Sequence, residues 1–186
     1  MKWYQTYLSV YEKPFDEAPK AVVEEVKTKI GRLQSEHPLV TVSVIGYNEE
    51  KHLLACLWSL SNQQCKYPLE IIGVDNDSKD RTGEIFQATE VPYYTETQHS
   101  CGWARSCGLA HARGKYHFNI DSDTLYPPHY VETMVDTLEK KGVVGVSSLW
   151  SYIPDKEHPW WQLKIYEFAR DCYLFLQSFK RPELSV

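Results

Sequence analysis

Strand-like and helix-like segments alternate along this chain, and that alternation limits the fold more than any single motif does. Apolar, β-branched runs fall at 39–45, 69–74, 91–94, 116–121 and 143–149. Between them lie helical patterns: Leu53, Leu54, Leu57 and Leu60 after the first run, a short helix through Phe86 after the second, 102–113 after the third, and 128–141 after the fourth. Asn48 and Asp80 are placed to cap the helices that follow them, and Gly114 is placed as a left-handed stop. Strands separated by helices at these spacings specify a mostly parallel sheet with right-handed crossovers. Before the first strand, 16–35 places Val22, Val26, Ile30 and Leu33 on one face, an amphipathic helix ended by Pro38 and expected to pack outside the main domain.

In such a sheet, ligands lie beyond the carboxyl ends of the strands. If strands one to three wind outward and strand four returns to the other side of strand one, a crevice opens where the order reverses. Tyr47, Asn48, Asp75 and Asp121 all stand at strand ends and are expected to face it. Residues 116–128 are the clearest case: a buried strand through Phe118 and Ile120 delivers Asp121 and Asp123, and Pro127 and Pro128 close the segment. Two carboxylates so placed suit a divalent cation shared with substrate phosphates. The plain alternative is a solvated loop, since a second acidic triplet occurs at Asp75, Asn76 and Asp77.

Composition narrows the function classes. With 186 residues and 42% hydrophobic side chains, the chain can bury a real core. A net charge of -5 and the absence of any Lys/Arg-rich block argue against nucleic acid as a partner. Cys56, Cys65, Cys101, Cys107 and Cys172 are odd in number and show no Cys-x-x-Cys spacing, which fits reduced thiols in a cytoplasm. No signal-peptide core or spanning apolar stretch is visible, so export by that route is not expected. His99, His111 and His117 fall near the cleft without ligand spacing, and Cys101 and Cys107 flank the Gly102 turn without an identifiable activating partner.

Four segments, 42–50 (VSVIGYNEE), 71–82 (IIGVDNDSKDRT), 102–114 (GWARSCGLAHARG) and 121–123 (DSD), resemble in order and spacing the nucleotide-sugar half of family 2 glycosyltransferases. The resemblance covers about residues 40–150. It implies an α/β, Rossmann-like GT-A fold, truncated at the C-terminal end, in three parts: a helical extension at 1–38, a nucleotide-sugar-binding domain at 39–150, and an aromatic-rich helical segment at 151–186 leading to an acceptor region. It further implies that Tyr47, Asn48, Glu49, Asp75, Asn76 and Ser78 hold a UDP- or GDP-type nucleoside-diphosphate sugar, with Tyr47 against the base and Asp75 accepting from base or ribose. Arg105 would reach the diphosphate or nearby carboxylates, Asp121 ribose or metal, and Asp123 would coordinate Mn²⁺ or Mg²⁺. The implied reaction is sugar transfer with inversion to an acceptor hydroxyl, on a sugar or lipid-linked acceptor of cell-surface polysaccharide or glycolipid synthesis.

Departures accompany the matches. Ser106 stands where the family often has Asn, and Asn76 where it often has Asp. The family's general base comes from an acidic motif beyond the fifth strand; Glu183 is not nominated, and the base is expected past Val186. Trp150, Tyr152, Trp160, Trp161, Ile165, Phe168, Tyr173, Phe175 and Phe179, interleaved with Lys164, Arg170, Lys180 and Arg181, suit a helix covering the sheet or the acceptor cleft. The alternative is a peripheral contact of 160–181 with the inner face of a membrane. Competing readings are a non-catalytic sugar-nucleotide-binding fragment, a Mg²⁺-dependent haloacid-dehalogenase-type phosphatase, which the Thr124–Leu125 continuation fits poorly, and a nucleotidylyltransferase, whose Gly-rich loop is replaced at 46–48.

Overall fold

The computed structural model describes residues 2–154 and 157–180, with side chains described as far as Leu176. The side chains of Phe179 and Lys180, together with Arg181 and Glu183, lie outside what is described. The chain forms two compact units, Met1–Val135 and Asp136–Val186.

In the first unit two 3₁₀ turns, Tyr7–Ser9 and Phe15–Glu17, precede α1 (Lys20–Leu33), and β1 (Val40–Gly46), α2 (Leu53–Ser61), β2 (Leu69–Asp75), α3 (Thr82–Ala88), β3 (Tyr93–Thr95), α4 (Cys101–His111) and β4 (Tyr116–Asp121) follow. α5 (Tyr130–Leu138) spans the division between the units. The strands order as β3-β2-β1-β4, and every pairing is parallel. β1 and β2 are therefore central. Both are almost wholly buried, which explains their continuous rather than alternating apolar character. β4 alternates instead: Phe118 and Ile120 are buried while Asn119 and Asp121 are exposed. The fourth strand is thus buried through Phe118 and Ile120 as expected, with Asn119 and Asp121 on its open face.

Every residue of α2 is buried, including Leu53, Leu57 and Leu60, each worth about 1.5–3 kcal/mol of burial. α1 packs on α2 through Val26 and Ile30, so the segment before the first strand belongs to the same compact unit. On the sheet, α4 lies against β1 and β2, so close that a Cβ on Gly108 would come within 2.9 Å of Ser43.

Four local expectations are corrected. The apolar run 143–149 joins no sheet among the described residues: Val144 is 98% exposed, and β-propensity without burial does not make a strand. Gly102 lies inside α4, not at a turn before it; the helix starts at Cys101, and the Ser100 hydroxyl caps it by accepting from the Gly102 N–H at 3.2 Å. Asn48 caps no helix; its φ is +55° and its side chain is used elsewhere. Gly114 does not have a left-handed backbone. Glycine is needed there because a Cβ would meet the backbone of Val40 and Thr41 at 2.6–2.9 Å.

That approach is fixed by an ion pair between buried Glu70 and the exposed Arg113. Glu70, 3% exposed, accepts from the Thr41 hydroxyl at 2.6 Å, the Arg113 N–H at 2.9 Å and Arg113 Nε at 2.7 Å. Burial alone would raise the Glu70 pKa, but these donors hold it below the ordinary value. Gly114→Ala should therefore cost about 2–3 kcal/mol in chemical denaturation, because backbone must move to admit the methyl group. Gly31→Ala, at an α1 position with nothing within 4 Å, should stabilise by roughly 0.5–1 kcal/mol in the same assay.

Candidate functional site

An open cleft of about 420 Å³ lies at the carboxyl edge of the sheet, and the segment after each of the four strands contributes to its wall. Tyr47 and Glu49 follow β1, Asn76 follows β2, His99, Ser100 and Cys101 lie between β3 and α4, and Asp121, Ser122 and Asp123 close β4. The inferred reversal of strand order beside β1 places it there.

The first two loops are bound to each other by side chains that serve backbone groups. The Asn48 N–H donates to Ser78 Oγ at 3.0 Å, and the Lys79 N–H returns a bond to Asn48 Oδ1 at 2.8 Å. The Glu49 N–H donates to Thr82 Oγ1 at 2.8 Å and the Glu50 N–H to Asp80 Oδ2 at 3.0 Å. Asp80 Oδ1 also accepts from the Thr82 N–H at 2.9 Å, so Asp80 does serve the start of α3. Asp75, 8% exposed, accepts from the Ser78 N–H at 3.0 Å and shapes its own turn. Asn76 Nδ2 donates to the carbonyls of Glu96 and Gln98 at 2.9 and 2.8 Å, tying the third loop to the second. Among the expected binding residues, then, Asn48, Asp75, Asn76 and Ser78 use their side chains to hold loops. Tyr47, half exposed, and Glu49 remain on the cleft wall.

The β4 turn is clamped separately. The Tyr126 hydroxyl receives the Asp121 N–H at 3.2 Å and donates to the Asp121 carbonyl at 3.1 Å; burial raises its pKa. The Tyr11 hydroxyl donates to the Asp123 carbonyl at 2.8 Å. Burial first, and the Asp123 charge second, push Tyr11 up to about 12. With their backbones fixed, the Asp121 and Asp123 carboxylates face the opening. Arg105, on α4, reaches Asp121 at 3.3 Å, the carboxylate end of its expected range. Both groups are about half exposed, so this pair adds little stability.

Glu49 is held by His52 Nδ1 at 2.6 Å, and His52 Nε2 lies 3.1 Å from Glu12. The second contact is a charge contact without hydrogen-bond alignment, because Nε2 has no well-formed partner. Its two carboxylate neighbours, Glu49 first, raise His52 to about 8 against the opposing effect of burial. Of the other histidines, His99 meets Tyr47 edge-on at 5.7 Å on the cleft wall. His111 stacks on Tyr94, and His117 bonds Ser43 Oγ at 2.8 Å beneath the sheet edge with its pKa lowered by burial. Cys56 is buried below the β4 turn, its Sγ 3.8 Å from the Asp121 carbonyl, and burial raises its pKa.

Tyr11, Glu12, His52 and Tyr126 were not apparent from sequence. The Ser, Thr and Asp density at 78–82 was a usable signal for loop capping, whereas nothing in the sequence links Tyr11 to Asp123.

Comparison with known proteins resolves the class. The profile for Glycosyl transferase family 2 matches residues 41–185, most of the chain. This chain belongs to that family. As a family 2 member it is 30% identical over 105 residues to an uncharacterized glycosyltransferase of Rickettsia prowazekii, covering 55% of this chain and 33% of that protein. It is 28% identical over 121 residues to glycosyltransferase GlyG of Streptococcus pneumoniae, covering 61% and 40%. The chain thus spans about a third to two fifths of the length of these relatives. Among solved structures, mannosyltransferase PcManGT from Pyrobaculum calidifontis, in complex with GDP-Man and Mn²⁺, matches with a TM-score of 0.55 and 22% identity over 72% of this chain and 47% of that one. Glucosyl-3-phosphoglycerate synthase from Mycobacterium tuberculosis, in complex with UDP, matches with a TM-score of 0.50 and 20% identity over 88% and 56%. The fold is therefore the α/β GT-A type, resembling enzymes that bind nucleoside-diphosphate sugars, and the phosphatase alternative is set aside.

His52 gives a pH signature. Its pKa rises from an ordinary value near 6.5 to about 8 in the folded protein, so its contribution is fully present below pH 6.5 and lost as pH rises through 8. The thermal midpoint should fall between pH 6.5 and 8.5, by an amount equivalent to roughly 1–2 kcal/mol, and His52→Gln should flatten that decline.

Proposed function

We propose that this chain carries the donor site of a glycosyltransferase that moves a sugar from a UDP- or GDP-type nucleoside-diphosphate sugar to an acceptor hydroxyl. The observation that carries this reading is the convergence of all four strand-end segments on one cleft, with an aromatic wall on one side and two carboxylates on the other. Tyr47 and His99 would face the base, Glu49 would accept from ribose or base donors, and Arg105 would stand beside the diphosphate. The nucleotide complexes of the PcManGT and glucosyl-3-phosphoglycerate synthase structures support the ligand class.

Among the described residues no group of three or more His, Cys, Asp or Glu side chains could hold a metal by itself. Asp121 and Asp123 nevertheless fit Mn²⁺ or Mg²⁺, which bind through one or two carboxylates and take their remaining ligands from phosphate and water. Bound there, the ion would offset the charge that develops on a departing diphosphate. The chain's own part is to keep the two carboxylates apart from the core and open to the cleft, which the Tyr126 and Tyr11 bonds to their backbone do. We propose further that 39–150 forms the donor-binding part and that 151–186 leads toward the acceptor; the general base is not assigned to any residue of this chain.

In the second unit, α6 (Trp160–Lys180) exposes Trp161, Ile165, Phe168 and Phe175 along one stripe and Trp160, Tyr166, Tyr173 and Leu176 beside it. Glu167 is buried and accepts from the Tyr152 N–H at 3.1 Å and Lys164 Nζ at 2.6 Å, on the side away from that stripe. No helix among the described residues is long and apolar enough to cross a membrane. A stripe of this kind supports peripheral contact with a membrane surface, as a lipid-linked acceptor would require.

Two measurements test these readings. Calorimetry with UDP and GDP should show binding that strengthens at least tenfold with Mn²⁺, and Asp123→Ala should remove that gain; metal-indifferent binding, or none, would refute the donor site. The chain should co-sediment with anionic vesicles, and Phe168→Glu/Phe175→Glu should abolish this; equal sedimentation of the two proteins removes the membrane contact.

A further inference from the structure

The segment before α1 touches the cleft in a way the donor-site reading does not use. Tyr7 and Val10 are buried, and the Tyr7 ring meets Trp58 of α2 edge-on at 5.4 Å, which anchors the segment to the core. Beyond that anchor its contacts leave the core and fall on three loops. Tyr11 donates to the Asp123 carbonyl, and its ring lies 4.8 Å from the His52 ring. Glu12 donates its N–H to the Lys51 carbonyl at 3.0 Å and sets its carboxylate against His52, which holds Glu49. The Phe15 N–H donates to Glu50 Oε1 at 3.2 Å, and the Arg81 guanidinium covers the Phe15 ring at 5.1 Å.

Glu12 has a φ of +61°. A non-glycine residue in the left-handed region is disfavoured, so this backbone is imposed by the contacts on either side of it. Two of the three loops reached bring carboxylates to the cleft, Glu49 after β1 and Asp121 with Asp123 after β4; the third, after β2, is met through Arg81. A hydrogen bond to the Asp123 carbonyl restrains the peptide that leads out of that residue and so the direction of its side chain. On the other loop the exposed Glu12 carboxylate acts on Glu49 through charge rather than a hydrogen bond: it lies 3.1 Å from His52 Nε2, and His52 Nδ1 bonds Glu49.

We propose that residues 11–15 form a strap that sets the donor site, with Tyr11 and Glu12 as positioning residues for Asp123 and Glu49. The proposal rests on the donor-site reading for its consequence, not for its geometry. Tyr11 acts on the metal-facing side of the cleft and Glu12 on the nucleotide-facing side, so their removal should have separable effects.

The test uses the full 186-residue chain and compares wild type, Tyr11→Phe and Glu12→Gln by calorimetry with UDP and GDP, with and without Mn²⁺, alongside hydrogen–deuterium exchange without ligand. Tyr11→Phe keeps the ring and removes only the donor. It should lower Mn²⁺-dependent nucleotide affinity about threefold to tenfold, leave metal-free affinity unchanged, and speed exchange across 121–126. Glu12→Gln should weaken metal-free and metal-dependent binding alike, by about twofold to fivefold, and speed exchange across 47–52. Equal affinities together with unchanged exchange in these loops would overturn the strap. So would a uniform loss of affinity in Tyr11→Phe that tracks a lower melting temperature, since that is what a purely structural role gives. If wild type binds neither nucleotide, the donor-site reading fails, and exchange decides the strap alone: loop-specific acceleration upholds it and unchanged exchange sinks it.

Discussion

The cleft depends on hydrogen bonds from side chains of one loop to the backbone of another. Residues leaving β1 and β2 at the carboxyl edge have N–H groups with no strand or helix partner. Such groups cannot remain unpaired where the loops pack together. Ser78, Asp80 and Thr82 accept the N–H groups of Asn48, Glu50 and Glu49, and Asn48 returns a bond to Lys79. Each bond is worth about 0.5–1.5 kcal/mol net, but together they hold two loops in one arrangement. Asn76 extends the same device to the third loop. Polar residues that look like ligand contacts in the sequence are in good part the framework that leaves Tyr47 and Glu49 facing the opening.

The same principle operates at β4 with different residues. There the backbone groups of the acidic turn are met by two tyrosine hydroxyls, one five residues along the chain and one more than a hundred residues before it. Both phenols are neutral at physiological pH and so keep a proton to donate, and burial raises their pKa values further. Electrostatics around the cleft are graded accordingly: Arg105 stands against Asp121, His52 against Glu49, and Asp123 keeps its carboxylate among weak partners such as the Thr124 hydroxyl.

The sheet was legible in the sequence for a simple reason. Its central strands are buried on both faces, so they appear as continuous apolar runs, and their crossings appear as helical periodicity between them. The run 143–149 had the same composition and forms no strand among the described residues, because composition records propensity and not burial. Gly114 was noticed for a wrong reason: a glycine that follows a helix suggests a left-handed cap, whereas here the close approach of Val40 and Thr41 excludes a side chain. Tyr47, Asp121 and Asp123 were found because they end strands. Asp75 and Asn76 were found for the same reason, yet they serve the loops.

The amino-acid sequence by itself determined the parallel order of elements, the edge at which the cleft opens and the residue types offered there, since each of these follows from local periodicity and from where apolar runs stop. Which side chains face the opening, and which are consumed in holding it, was decided only by the tertiary structure. Asn48 and Ser78, or Tyr11 and Asp123, are partners through space and not along the chain, and a backbone N–H selects its acceptor by what packing brings within 3 Å.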